Sequence, residues 1–402
     1  MGNLKGVHIH RIFSVLLAIS LLIGLVGCSK SETPETPDAS APASDQPAET
    51  EQPSEVTVGY TTLQSGANAA IGFYIDAAVN IALEEFNSTS DVKINLVAED
   101  AGSTVEAAND ATIRLLDNKD VSSILAVVSP DQYTAMIPEM EEAGIPVMVT
   151  GAPDEIFEHG YNWLFSGYVT KEQENFPLIA WAEYMDVKNV ALLIGNDDTS
   201  KALVQFFQEK AEPLGITIFP EFINAGDNDF TANITSARRN EPDAYCILAS
   251  DADGAKIVRQ MKQLGIEEPL NVGGAILVQS FLDRLEPEEI EGMYGQASII
   301  APSLSTDPRV LEFAEKYKTA TEADLDIIST CVYDSAMILF EATAKTGGDP
   351  QQVIAYLHSL EGYQGLSGEF TYNEKGLGRH EGYLFKAGEN KNVELIDTLP
   401  ID

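Results

Sequence analysis

Two patterns of hydrophobic positions alternate along the chain. Short runs at Val56–Tyr60, Ile94–Ala98, Ile124–Val128 and Ile145–Thr150 read as strands, and Ile124–Val128 is apolar on both faces, as a buried parallel strand should be. Between them, Ile71, Ile75, Ala78, Val79, Ala82, Leu83 and Phe86 recur at helical spacing. Val105, Ala108, Thr112, Leu115 and Leu116 mark a second helix, and a third, with Pro138 inside it, precedes Ile145. A second series begins near residue 170. Strand Val190–Ile194 precedes a helix over Ala202–Lys210, strand Ile216–Phe222 precedes a helix near Ile234, and strand Ala244–Ala249 precedes a helix over Ile257–Leu264. Such alternation predicts an α/β fold with two doubly wound parallel-sheet lobes, the first giving way to the second at about residue 168. Helices at Leu311–Tyr317 and Ile327–Ala344, and strands at Ser367–Tyr372 and Gly382–Lys386, then complete the two lobes. The chain must cross between them more than once, which makes a multi-strand hinge. Open parallel sheets bind ligands at the carboxyl ends of their strands, so two lobes meeting there enclose a cleft.

The N-terminal segments follow other patterns. Lys5 and Arg11 precede an apolar run from Ile12 to Val26, and the first acid is Glu32. Residues 1–27 read as a secretory signal peptide. The run ends Leu25-Val26-Gly27-Cys28, which resembles the lipobox of bacterial lipoproteins and implies lipidation of the Cys28 thiol. Ser29 to Glu55 contains Ser, Thr, Pro, Ala and acids but no large apolar residue, too little to pack a core. With Cys28 it reads as a disordered tether, residues 28–55, spanning roughly 30 Å as a coil.

Charge narrows the partners. There are 24 Lys+Arg against 63 Asp+Glu, a formal net charge of -39. Loss of Lys5 and Arg11 with the signal peptide gives -39 - 2 = -41. Nucleic acid is excluded as a main partner, and so is docking on anionic lipid through basic patches. The 3 Cys exclude a disulfide-dense scaffold. Cys246 falls in an apolar strand and Cys331 in an apolar helix, positions of inert buried thiols, with a bridge between them left open. His159, His358 and His380 are far apart. There is no P-loop, Gly-x-Gly-x-x-Gly, Gly-x-Ser-x-Gly or His-Glu-x-x-His. The stretch Asp251-Ala252-Asp253-Gly254 lacks the further ligands of a calcium loop. No enzymatic activity, cofactor or metal site is expected, and Trp163 and Trp181 are expected to pack in cores or at lobe edges.

From Val56 onward the chain resembles the type I periplasmic binding proteins, more narrowly the leucine/isoleucine/valine-binding family that feeds ABC importers. Several segments carry the resemblance: Val58-Gly59-Tyr60 with Ser65-Gly66 and Ala77-Ala78; Glu142-Ala143-Gly144-Ile145-Pro146-Val147; Val258-Arg259-Gln260-Met261-Lys262-Gln263-Leu264-Gly265-Ile266; Tyr333-Asp334-Ser335; and Gly368-Glu369-Phe370-Thr371-Tyr372-Asn373-Glu374-Lys375-Gly376. The resemblance implies lobe one at 56–167 plus 300–368 and lobe two at 168–299 plus 369–402. It implies a lipid-anchored extracytoplasmic solute-binding protein, monomeric, that takes an amino acid or related small polar ligand to an ABC transporter permease. An extracellular receptor subunit of the same fold, acting through a membrane partner, is the alternative.

In that family the loops after the third and fourth strands hold the ligand's charged ends with hydroxyls and main-chain groups. Here these implied donors are Ser129 and Thr150, with Gly151 and Ala152 through the main chain. Ser129 equally suits the N-cap of a helix starting near Asp131, and Gly151 a turn. From lobe two the candidates are Asp197, Asp198, Thr199 and Ser200, then Ser250 and Asp251, with Asp251 offered to an ammonium or to the N-cap of a helix over Ala252–Leu264. Tyr168 lies near the first crossover and is expected to line the cleft. The chain departs from the family twice: Gly273-Gly274-Ala275-Ile276 stands where many members carry an acid, and Ala70-Ile71 where many carry a Tyr.

Overall fold

The computed structural model describes residues 53–379 and 381–401. The signal peptide, Cys28 and nearly all of the tether lie outside the described residues.

The first sheet contains β1 (Glu55–Thr62), β2 (Lys93–Asp100), β3 (Val121–Ala126), β4 (Val147–Val149) and β5 (Leu164–Ser166), in the order β2-β1-β3-β4-β5. Every neighbouring pair is parallel. The connections are α1 (Ala69–Thr89), α2 (Val105–Asp117), α3 (Pro130–Ala143) and the short α4 (Asp154–Phe157). β3 is buried along its whole length, which is why its sequence shows no alternation. Pro138 is accommodated inside α3, which ends at Gly144 in the left-handed conformation.

After α5 (Lys171–Asn175) and α6 (Pro177–Tyr184) the second sheet begins. Its elements are β6 (Asn189–Gly195), α7 (Asp198–Ala211), β7 (Thr217–Ile223), α8 (Thr231–Arg238), β8 (Ala244–Leu248), α9 (Asp251–Gln263), β9 (Leu270–Asn271), α10 (Gln279–Leu282), α11 (Pro287–Ile290) and β10 (Tyr294–Ala297). Successive residues of β6 feed opposite cores. Ala191 and Leu193 pack with Ile234, Ile257 and Phe281, whereas Val190, Leu192 and Ile194 pack with Trp181 and Phe207. Two covered faces explain the continuous apolar run.

The chain then returns to the first lobe through α12 (Pro308–Thr321), α13 (Ile327–Lys345) and α14 (Pro350–His358), followed by a small hairpin of β11 (Tyr363–Gln364) and β12 (Glu369–Phe370). α13 is long and apolar enough to cross a membrane, but its apolarity reflects burial: Val332, Ala336, Leu339 and Phe340 all sit in the first core. The expected lobe boundary at 368/369 falls inside this hairpin. Phe370 and Tyr372 pack in the first core, and pairing with the second sheet starts at Glu381 with β13 (Glu381–Ala387) and β14 (Val393–Pro400). These last two strands are antiparallel additions, giving the order β14-β13-β10-β9-β8-β6-β7.

Three crossovers join the lobes: β5 to α6, β10 to α12, and β12 to β13. One buried polar network ties them. Gln173 donates to the Arg379 carbonyl, and the Ser298 hydroxyl donates to the Gln173 carbonyl at 2.8 Å. Arg379 Nη1 donates to the Ser367 carbonyl at 2.9 Å, and its guanidinium lies 4.0 Å from the centre of the Phe370 ring. Asp334 accepts the Leu366 and Ser367 N–H groups, both at 2.7 Å, and the Ser367 hydroxyl, which also takes a hydrogen bond from Arg379. Burial pushes the Asp334 carboxyl up, against the pull of these donors and of Arg379. The Tyr-Asp-Ser segment of the sequence is therefore a hinge clamp. Cys246 and Cys331 are both buried and free.

Candidate functional site

The β–α loops of the first lobe form a rim whose polar groups hold one another in place. Asp76 on α1 accepts from Tyr60 at 2.7 Å, from Thr62, and from Gln64 Nε2 at 3.2 Å. Asp100, at the end of β2, accepts the N–H groups of Gln64 at 3.0 Å and Gly102 at 2.9 Å, so it joins the first two loops. Burial acts to raise its carboxyl, but the Ser65 hydroxyl and these N–H groups hold it below the usual carboxylate range.

Ser129 is the N-cap of α3, and its hydroxyl accepts from Asn68 Nδ2 at 2.8 Å. Its own N–H donates to Gln132 Oε1 at 2.8 Å, while Gln132 Nε2 donates to the carbonyls of Ala101 and Thr104 at 3.1 and 2.9 Å. The Tyr133 hydroxyl accepts the Thr150 N–H at 3.1 Å and lies 2.9 and 2.8 Å from the carbonyls of Ala126 and Thr150. Gly151 takes φ +81 with open space where a Cβ would stand, a turn position. Ala152 is buried. Ser129, Thr150, Gly151 and Ala152 thus share one rim, at the carboxyl ends of β3 and β4.

The second lobe presents a cavity of about 450 Å³ at the carboxyl ends of β6, β7, β8 and β9. Its polar lining is Asp197, Ser200, Ser250 and Asp253; Ile223, Ile247 and Val272 are part of its apolar wall. Asp197 caps α7, accepting the Ser200 N–H at 2.9 Å and its hydroxyl at 2.8 Å, which hold the carboxyl below the usual range. Ser250, not Asp251, caps α9: its hydroxyl accepts the Asp253 N–H at 3.2 Å. Asp253 is 4% exposed. Burial works to raise its carboxyl, but the Gly226 N–H at 2.9 Å, Lys256 at 3.1 Å and the Ser250 hydroxyl keep it ionised below the usual range.

Of the sequence candidates in this lobe, Asp197, Ser200 and Ser250 line the cavity together, and Asp198 and Thr199 are not part of its lining. Asp251 lies one position into α9 and accepts from the Ser280 hydroxyl outside the cavity lining. The sequence reading missed Asp253 as a site residue. The Ser-x-x-Asp spacing at Ser250 is the legible signal, since a side chain three residues after an N-cap folds back toward it.

A neighbouring cavity of about 270 Å³ lies beside the crossovers and shares Leu248 and Gly274 with the first. Tyr168, Gly273, Gln296 and Ser298 line it. Burial pushes the Tyr168 hydroxyl up, keeping it protonated. Among the described residues no cluster of His, Cys, Asp and Glu could hold a metal ion.

Comparison with known proteins decides the family. The model of the family described as periplasmic binding protein matches residues 55–392. The chain belongs to the periplasmic binding proteins. It is similar to a Leu/Ile/Val-binding protein homolog of Brucella melitensis, 20% identical over 338 residues, covering 82% of this chain and 89% of that one. Its fold matches a crystal structure from Rhodospirillum rubrum described as a branched-chain amino acid ABC transporter protein, with TM-score 0.75 and 20% identity over 85% of this chain and all (100%) of that one. It also matches a solute-binding protein of an ABC transporter from Rhodopseudomonas palustris in complex with 3,4-dihydroxybenzoic acid, with TM-score 0.58 and 18% identity over 87% of this chain and 98% of the other. Its fold is the two-lobed type I fold of these solute-binding proteins. Its role is to bind a small molecule outside the cytoplasm, and it is not an enzyme.

Proposed function

We propose that this protein captures a free amino acid between its lobes and delivers it to an ABC importer. The observation that carries the reading is the opposite character of the two sets of loops. The first-lobe rim is rich in hydroxyl and N–H donors, and its two carboxylates, Asp76 and Asp100, are turned into its own loops. Such a rim suits a carboxylate. The second-lobe cavity carries the carboxylates of Asp197 and Asp253 above an apolar wall, with Lys256 paired to Asp253. That suits an ammonium group with a side chain beside it. Closing the hinge brings both ends of the zwitterion to groups that fit them, so the ligand favours the closed state.

The lobes in this reading are the first sheet with α1–α4 and α12–α14, and the second sheet with α6–α11. Cys28 is the lipid attachment site and residues 29–55 are the tether to the membrane, on which the Cys28→Ser variant should be released into the soluble fraction. The test of the function is a thermal melt of the mature chain against amino acids and aromatic acids. A ligand at a thousand times its Kd adds about 4 kcal/mol of stability, a shift of several degrees. Stabilisation by aromatic acids alone, with no amino acid active, would falsify the amino acid reading.

A further inference from the structure

The hinge-side cavity contains a buried hydrogen-bonding group without a partner. Gln296 is 8% exposed, and its Oε1 has no hydrogen bond among the described residues. In β10, Tyr294 and Gln296 point to one face of the sheet because side chains alternate. That face is the one covered by α6 and α7, where Trp181 lies 6.2 Å from Tyr294. Across this face, Gly273 separates Leu248 from Gln296. A Cβ on Gly273 would stand 2.9 Å from Leu248 Cδ2 and 4.0 Å from Gln296 Nε2. Gly273 therefore leaves open the space between Leu248 and the amide.

Buried polar atoms are almost always paired, and among the unpaired ones of the described residues Gln296 Oε1 belongs to a residue that lines a cavity open to a ligand group. This cavity adjoins the one that carries Asp197 and Asp253, since both are lined by Leu248 and Gly274. A ligand whose ammonium sits in the larger cavity can extend its side chain into the smaller. There it meets the Gln296 amide and the protonated Tyr168 hydroxyl, both able to accept and donate, with Val169, Ile299 and Ile327 around them. Glu174 and Asn175 also line the cavity and no lysine or arginine does, so nothing there holds a carboxylate tail, while the Asn175 amide adds to the neutral polar lining and Glu174 makes L-lysine the competitor to test.

We infer that Gln296 selects an amino acid whose side chain ends in a neutral carboxamide, in preference to a branched aliphatic one. The inference rests on the amino acid reading above and deepens it. A carboxamide offers the same donor and acceptor pair that Gln296 does, so the two amides can pair reciprocally.

The experiment is isothermal titration of the ligand-stripped mature protein with L-glutamine, L-asparagine, L-leucine and L-lysine, repeated on Gln296→Leu. Wild type is expected to bind glutamine or asparagine at least about tenfold tighter than leucine. Gln296→Leu should lose that margin and gain affinity for leucine, with an unchanged melting temperature because an apolar side chain of similar size replaces an unpaired amide. The wild-type ratio tests the inference even if the variant folds poorly. Tightest binding of leucine or lysine overturns it and leaves the amino acid reading standing, as does a carboxamide preference that survives in Gln296→Leu. No binding by any of the four, with an aromatic acid binding instead, overturns both.

Discussion

Asp253 shows how one side chain serves both fold and site. Its carboxylate joins α9 to the loop after β7 through the Gly226 N–H and pairs with Lys256. Asp253→Ala leaves these donors unmatched, so a loss of about 1–3 kcal/mol in urea unfolding is expected, together with weaker ligand binding. Its carboxyl is held below the usual range, as is that of Asp100. Groups shifted this way stabilise the fold above the unfolded carboxylate range, about pH 4, and that stability is lost as pH falls through their lower folded values. Asp253→Asn should flatten this acid-side decline in the urea midpoint; an equally steep decline would assign it to other carboxylates. Gln132 acts differently. It lines neither of the two cavities and ties the loop after β3 to the loop after β2, so Gln132→Ala should weaken ligand binding in calorimetry while helix content by circular dichroism stays unchanged. Ser129 and Gly151 were readable because caps and turns have local signatures, whereas the cap of α9 was expected at Asp251 and stands one residue earlier, at Ser250. Asp251 and Asp253 differ by two positions on one helix, and only the path of the chain into α9 separates the carboxylate at the cavity from the one at Ser280.

At the scale of elements, long strands and amphipathic helices were legible, as were their order and their approximate ends. β9 and β10, with 2 and 4 residues, were not; they are too short to show a period. β14 was also missed. It is exposed along most of its length and pairs as an edge strand, so nothing in its apolar content marks it. β9 and β10 carry Asn271 and Gln296, which is why only Tyr168 of the hinge-side cavity's polar lining was read as a cleft residue. The hinge itself depends on close packing. A Cβ on Gly167, at the end of β5, would stand 1.8 Å from Ser335 Oγ and 2.7 Å from Ser335 Cβ on α13. Gly167→Ala should cost about 1–3 kcal/mol in chemical unfolding. Adding Ser335→Gly should return part of that, a coupling readable in a double-mutant cycle; additive effects would show that the strain lies elsewhere.

The whole molecule carries a net charge of -39 with few cations to balance it. Ion pairs such as Arg114–Glu99 and Lys375–Glu158 are solvent-exposed and contribute little each. Self-repulsion is the larger effect, and salt screens it. The melting temperature of the ligand-free protein should therefore rise between about 0.05 and 0.5 M sodium chloride, where the Debye length shrinks several-fold; a fall would mean that local ion pairs outweigh the repulsion.

The sequence by itself determined the α/β class, the two lobes, the family and the loops that border the cleft. Each of these follows from local periodicity or from short segments whose geometry needs particular residues. The tertiary structure decided which side chains share a cavity, because strand register and crossover paths join residues more than a hundred positions apart, as Tyr168 and Gln296 are joined. It also decided that Asp334 and Arg379 belong to the hinge. Their partners come from the ends of different elements, and no local pattern announces a network that exists only when three crossing segments meet.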